Sequence, residues 1–157
     1  MRKLTLLFMV VLLSACSDES IEGVESFDDD GNEHLQDVSD FNPNDYSSDP
    51  PTSGPHMGNL VKAGYYEEII PDPYLIHNLE DGYIVIYYNE GSIGHIKEDL
   101  QQLAEESKGH SGVVVVPRSG IEEEVILTAW TKMLRMNDFD REKAEQFIKK
   151  YIGIDHH

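Results

Sequence analysis

Two histidines and two carboxylates stand where their side chains could share a cation. His56 closes the run Asp49-Pro50-Pro51-Thr52-Ser53-Gly54-Pro55, and His77 precedes Glu80 and Asp81. Imidazole nitrogen and carboxylate oxygen are competent ligands for zinc, copper or iron. Proline fixes its own φ, so a ligand on such a loop loses little freedom when it binds. The candidate metal set is therefore His56, His77 and Asp81, with Glu80 in reserve, and the implied cofactor is a transition metal ion, copper or zinc. Met57 could add a soft donor beside His56. The same residues also have ordinary structural uses. His56 can bond within its loop, His77 can bond a carbonyl at the edge of a core, and Asp81 before Gly82 suits a turn.

Catalytic constellations are thinner, and no catalytic residue is assigned. The chain has no Gly-x-Ser-x-Gly elbow. Ser53 is near His56 in sequence, but a triad is a matter of geometry. Glu80 and Glu124 would serve as an acid–base pair only if the fold joined them. The single cysteine excludes an internal disulfide and a cysteine-built zinc site. Asp28-Asp29-Asp30-Gly31-Asn32 hints at calcium. However, Glu33 and Ser39 stand where the EF-hand pattern needs glycine and glutamate. His156 and His157 read as a frayed tail. Trp130, among apolar neighbours, reads as core.

The elements that must position these groups follow from periodicity. Residues 74–79 and 83–88 are β-rich runs around Glu80-Asp81-Gly82, which predicts a hairpin. Ser92 can cap a helix with Ile96, Leu100, Leu103 and Ala104 on one face and Gly109 as its stop. Residues 113–116 form a wholly apolar strand ended by Pro117. Residues 125–130 read as a strand running into a helical turn at Met133-Leu134. Asp140 can cap a last helix carrying Ala144, Phe147, Ile148, Tyr151 and Ile152, with Lys149 and Lys150 at its negative end and Gly153 beyond it. The predicted fold is α+β: a small mixed or antiparallel sheet in the order hairpin, helix, strand, strand, helix, with helices mainly on one face.

The front of the chain addresses it. Arg2 and Lys3 precede the apolar run Leu4 to Leu13, as in a secretory signal. That run is far short of the roughly twenty residues a bilayer-spanning helix needs. Leu13-Ser14-Ala15-Cys16 resembles a lipobox, which implies a diacylglycerol on Cys16 and cleavage before it. The expected organisation is a lipoprotein signal peptide over 1–15, lipidated Cys16 with a disordered acidic tether over 16–48, and one α+β domain over 49–157. The expected location is the cell envelope. The lipid would hold the protein on the membrane: the periplasmic side of the outer membrane in a Gram-negative cell, the outer face of the plasma membrane in a Gram-positive one.

Charge narrows the partners. The chain has 12 basic and 30 acidic residues, a net of −18. From residue 17 to 49 there are twelve Asp and Glu and no Lys or Arg. Such a segment repels itself and buries little apolar surface, hence the tether. Nucleic acid is not an expected partner, because it selects basic surfaces.

Three segments together resemble a known family. They are residues 49–56 (Asp-Pro-Pro-Thr-Ser-Gly-Pro-His), residues 77–82 (His-Asn-Leu-Glu-Asp-Gly) and residues 127–130 (Leu-Thr-Ala-Trp). Their order and spacing are similar to the bacterial family called domain of unknown function 3105, over about residues 46–151. The resemblance implies an exported or membrane-anchored protein and is silent on activity. It also implies His-x-Leu-Glu-His-Gly where this chain has Asp81, so only His56 and His77 remain of three motif histidines. The leading expectation is a non-catalytic binding or accessory module with a metal at His56/His77/Asp81. The second is a ligand-free interaction module, and the third a metal-assisted enzyme.

Overall fold

Two apolar runs occupy the middle of the sheet, as their composition requires. A strand with no polar face suits a position covered on both sides. The computed structural model describes residues 20–157. The signal segment and Cys16 lie outside the described residues. The elements are β1 (Val24–Ser26), β2 (Gly64–Tyr65), α1 (Asp72–Glu80), β3 (Ile84–Tyr88), α2 (Lys97–Leu103), β4 (Ser107–Lys108), β5 (Ser111–Pro117), β6 (Val125–Ala129), β7 (Lys132–Met136) and α3 (Arg141–Tyr151). The strand order is β1-β7-β6-β3-β5-β2, with β4 paired to β5 off this path. β3 runs parallel to β5 and antiparallel to β6, so the sheet is mixed and mostly antiparallel.

Alternation along the strands builds a core on each face. Ile84, Ile86, Val113, Val115, Leu127 and Leu134 meet α2 and α3 on one side. Val85, Tyr87, Val114, Val116, Ile126 and Met133 meet α1 on the other. Among the described residues, α2 and α3 therefore share one face and α1 lies on the opposite one. Among the described residues, no helix is long and apolar enough to cross a membrane.

Several local expectations are corrected. The predicted hairpin over 74–88 is a helix followed by a strand. Pro73 in the first turn suits a helix start, and Leu75, Ile76 and Leu79 make one buried stripe. Asp81-Gly82 is the end of that helix rather than a hairpin turn. The amide of Gly82, at φ 74°, donates to the Leu79 carbonyl at 3.1 Å, and that of Tyr83 donates to the Asn78 carbonyl at 2.8 Å. This is the Schellman closure that glycine permits. The predicted helical turn at Met133-Leu134 is strand β7. Two adjacent apolar residues look helical, but each faces a different core. The helix expected from Ser92 to Gly109 shortens to a single 3-10 turn and α2. Ile96, Leu100, Leu103 and Ala104 are nevertheless buried as predicted. Asp140 caps α3 through the Lys143 amide at 3.1 Å.

The largest correction concerns the acidic tether. Over residues 20–48 the chain is an arm laid on the domain. β1 extends the sheet antiparallel to β7. Phe27, Phe41 and Tyr46 pack on the α1 side of the core. The carbonyls of Gly31 and Glu33 accept the amides of Gly54 and His56 at 2.7 and 2.9 Å, and the Leu35 amide donates to the His56 carbonyl at 2.7 Å. The acidic groups are partly spent on such contacts. Asp29 accepts from the Trp130 indole at 3.1 Å, and Asp30 from the Ser47 amide at 2.7 Å. Three aromatic anchors and a backbone ladder offset the self-repulsion that composition alone emphasised.

Candidate metal centre

Three elements meet at the centre: the arm, the proline-bounded loop and the last turn of α1. His34 and His56 face each other in an isolated parallel bridge between arm and loop. His77 and Glu80 are three residues apart on α1, which puts them on the same side of the helix. Arg118, at the end of β5, grips Asp72 at the start of α1 and Asp49 before the loop, tying the two elements together.

The donor atoms form a compact triangle. His56 Nε2 lies 3.1 Å from His77 Nδ1 and 3.2 Å from Glu80 Oε2. His77 Nδ1 lies 3.3 Å from Glu80 Oε2. His34 Nε2 approaches Glu80 Oε2 at 3.9 Å, and one ligand atom from each of the four residues falls within 4.8 Å of the others. For zinc bonds of about 2.0–2.1 Å, the edge of a coordination tetrahedron is about 3.3–3.4 Å. The triangle therefore has the dimensions of one tetrahedral face, and His34 is the fourth group within reach.

The protonation of His56 follows from its surroundings. His56 is fully buried, and its Nδ1 lies 2.8 Å from the Gly54 carbonyl. A carbonyl only accepts, so Nδ1 holds the proton and Nε2 points a lone pair at the centre. Burial pushes the His56 imidazole pKa down, outweighing the Gly54 bond and the Glu80 charge that raise it. Glu80 is 1 % exposed. A buried carboxylate is costly unless it is paired, and either a proton on one of the facing rings or a cation between them would offset that cost. The His77 side chain is 13 % exposed and that of His34 51 %, so the centre opens to solvent on the His34 side.

Of the candidate set, the fold brings His56, His77 and Glu80 together and leaves Asp81 out. Asp81 sits at the C-cap of α1, and its carboxylate takes His157 Nε2 at 2.6 Å. Asp81 follows the last residue of α1, and its carboxylate is taken up by the tail rather than by the imidazoles of the cluster. His34 was missed. It lies in the acidic run that looked disordered, although Phe27, Phe41 and Tyr46 nearby could have marked the run as packed. A third imidazole is thus present, supplied by the arm and not by the motif position that Asp81 occupies. Gly58 makes room for it: a Cβ there would lie 3.2 Å from the His34 ring.

The remaining candidates have other duties. The Ser53 hydroxyl accepts the Asp30 amide at 2.9 Å and donates to the Asp28 carbonyl at 3.3 Å. Glu124 accepts the Phe139 amide at 2.7 Å and faces His95 at 3.2 Å. The Met57 amide donates to the Pro73 carbonyl at 2.8 Å. Trp130 is 5 % exposed, as a core residue should be. The tail is docked rather than frayed: His156 stacks on Trp130 at 5.7 Å, and its amide donates to the Glu80 carbonyl at 3.0 Å.

A family model described as "Protein of unknown function (DUF3105)" matches residues 37–156. Comparison with curated proteins and with solved structures gives no match. His56, His77 and Glu80 lie inside the matched stretch, and His34 lies just before it.

Proposed function

From the premise that this chain belongs to the DUF3105 family, we propose that it is a metal-binding module whose ion is held by His34, His56, His77 and Glu80. One observation carries the reading: two imidazole nitrogens and a carboxylate oxygen, all buried or nearly so, form a triangle of 3.1–3.3 Å. Three imidazoles and one carboxylate suit a borderline cation, and no thiolate is present to favour a softer one. An equal-sided triangle fits a tetrahedral face better than a square plane, which puts zinc ahead of copper(II).

The address belongs to the same proposal. Arg2, Lys3, the apolar run Leu4 to Leu13 and Leu13-Ser14-Ala15-Cys16 support export and lipid attachment at Cys16. The domain then works outside the cytoplasm on a membrane surface. In a bacterial host, Cys16→Ser is expected to move the protein from the membrane fraction to the soluble fraction; unchanged membrane attachment would remove the lipid anchor from the reading.

The metal itself is tested on the chain from Ser20 onward. Zinc at 100 to 1,000 times its dissociation constant is expected to stabilise the fold by about 2.7–4.1 kcal/mol. For a domain of this size that raises Tm by roughly 5–15 °C. A chelator should reverse the shift, and the double variant His56→Ala, His77→Ala should abolish it. No bound metal after purification, together with no shift from zinc or copper, would leave the cluster as a ligand-free interaction module.

A further inference from the structure

Glu80 has two oxygens, and only Oε2 faces the imidazoles. Its other oxygen, Oε1, is gripped from two distant parts of the chain. Asn32 Nδ2, on the arm, donates to it at 2.7 Å. His157 Nδ1, on the tail, stands 3.4 Å from it. Asp81 holds the opposite edge of that ring at Nε2. We propose that Asn32 and His157 are positioning residues for Glu80, fixing Oε1 so that Oε2 is presented to the metal. This rests on the metal-binding reading and adds to it the residues that set the affinity.

The physical case begins with the carboxylate. A glutamate side chain has three rotatable bonds, and its terminal torsion is broad. Without partners on Oε1 it would exchange its oxygens or swing off the centre. Outer groups that orient a metal ligand commonly contribute a factor of about 10 to 100 in affinity. The tail that carries His157 is itself held down. The Gly153 amide donates to the Gly82 carbonyl at 2.8 Å, and the His156 amide to the Glu80 carbonyl at 3.0 Å. A Cβ on Gly82 would come within 2.7–2.9 Å of the Ile154 backbone, so the glycine allows this close approach. The arm is held equally by the His34–His56 bridge. Asp81, outside the ligand set, therefore still serves the centre through His157.

Linkage makes the arrangement reciprocal. If docking of the arm and tail on Oε1 favours metal at Oε2, then metal at Oε2 favours their docking by the same factor. Zinc should slow hydrogen exchange at the Leu35 and His156 amides, which lie on these two segments.

The experiment uses the chain from Ser20 onward and zinc as the probe. Zinc affinity is measured by competition with a chromophoric chelator for the wild type, Asn32→Ala, His157→Ala and the double variant. Each single change is expected to weaken zinc about tenfold and the double change about 100-fold. Affinities are compared at a temperature where circular dichroism shows every variant fully folded, which separates positioning from general stability. Hydrogen exchange at Leu35 and His156 should slow with zinc in the wild type and not in the double variant. A wild type that binds zinc while both variants bind equally well overturns this inference and leaves the centre standing. A wild type that binds no zinc overturns both.

Discussion

His56→Ala should cost zinc affinity several hundred-fold, the largest single effect of any substitution at the centre. Structural zinc sites with four ligands are worth about 10–16 kcal/mol in apparent binding free energy. One ligand's share is then about 2.5–4 kcal/mol, which is a factor of roughly 100 to 1,000 at room temperature. His56 contributes its full share because it is completely buried and its tautomer is set by the Gly54 carbonyl. Its removal also leaves that carbonyl without a partner, costing the metal-free protein about 1–3 kcal/mol. His34→Ala should be milder, about tenfold, because that side chain is half exposed and stands 3.9 Å from Glu80 Oε2. Chelator competition on both variants, with circular dichroism to confirm folding, checks the ranking. Equal losses, or wild-type affinity in His56→Ala, would contradict the assignment of His56 as the anchoring ligand.

Removing the arm should be as damaging to the fold as His56→Ala is to the centre. A chain beginning at Pro50 loses β1, the partly buried Phe27, Phe41 and Tyr46, and the Asp29 partner of Trp130. Fully burying one large apolar side chain contributes about 1.5–3 kcal/mol, so three partly buried aromatics together account for about 4 kcal/mol. The same truncation removes His34 and Asn32, and zinc binding should weaken by about 100-fold. Urea unfolding of chains beginning at Ser20 and at Pro50 decides the first part, and chelator competition the second. Equal stability of the two chains would mean that the arm is the passive tether its composition suggests.

The contrast between arm and domain explains what could be read from residues alone. Val113–Val116 is recognisable as a buried strand because no polar residue interrupts it, and α3 because Asp140, Ala144, Phe147, Ile148 and Gly153 all agree. His56 and His77 were legible as candidates because loop stiffness and residue chemistry point the same way. Glu80 was legible only as a reserve, since its orientation depends on whether residues 74–79 are strand or helix. Tyr74, Ile76 and the Asp81-Gly82 pair favour a hairpin locally, and Pro73 with the Leu75–Leu79 spacing favours a helix. Burial of that stripe on the sheet decides it. His34 was invisible for a different reason. Charge counting weighs every Asp and Glu as a repulsion, yet Asp29 and Asp30 are hydrogen-bond acceptors for Trp130 and Ser47, contacts that no local pattern announces.

The sheet ends in two very short strands, three residues in β1 and two in β2. An open strand edge is a row of unsatisfied amides and carbonyls, and a long flat one invites a neighbouring molecule to add its own strand. Edges this brief offer too few such groups to template that growth, and Glu25 adds charge to one of them. Neighbouring copies at high concentration are therefore poorly placed to zip together edge to edge into a fibril.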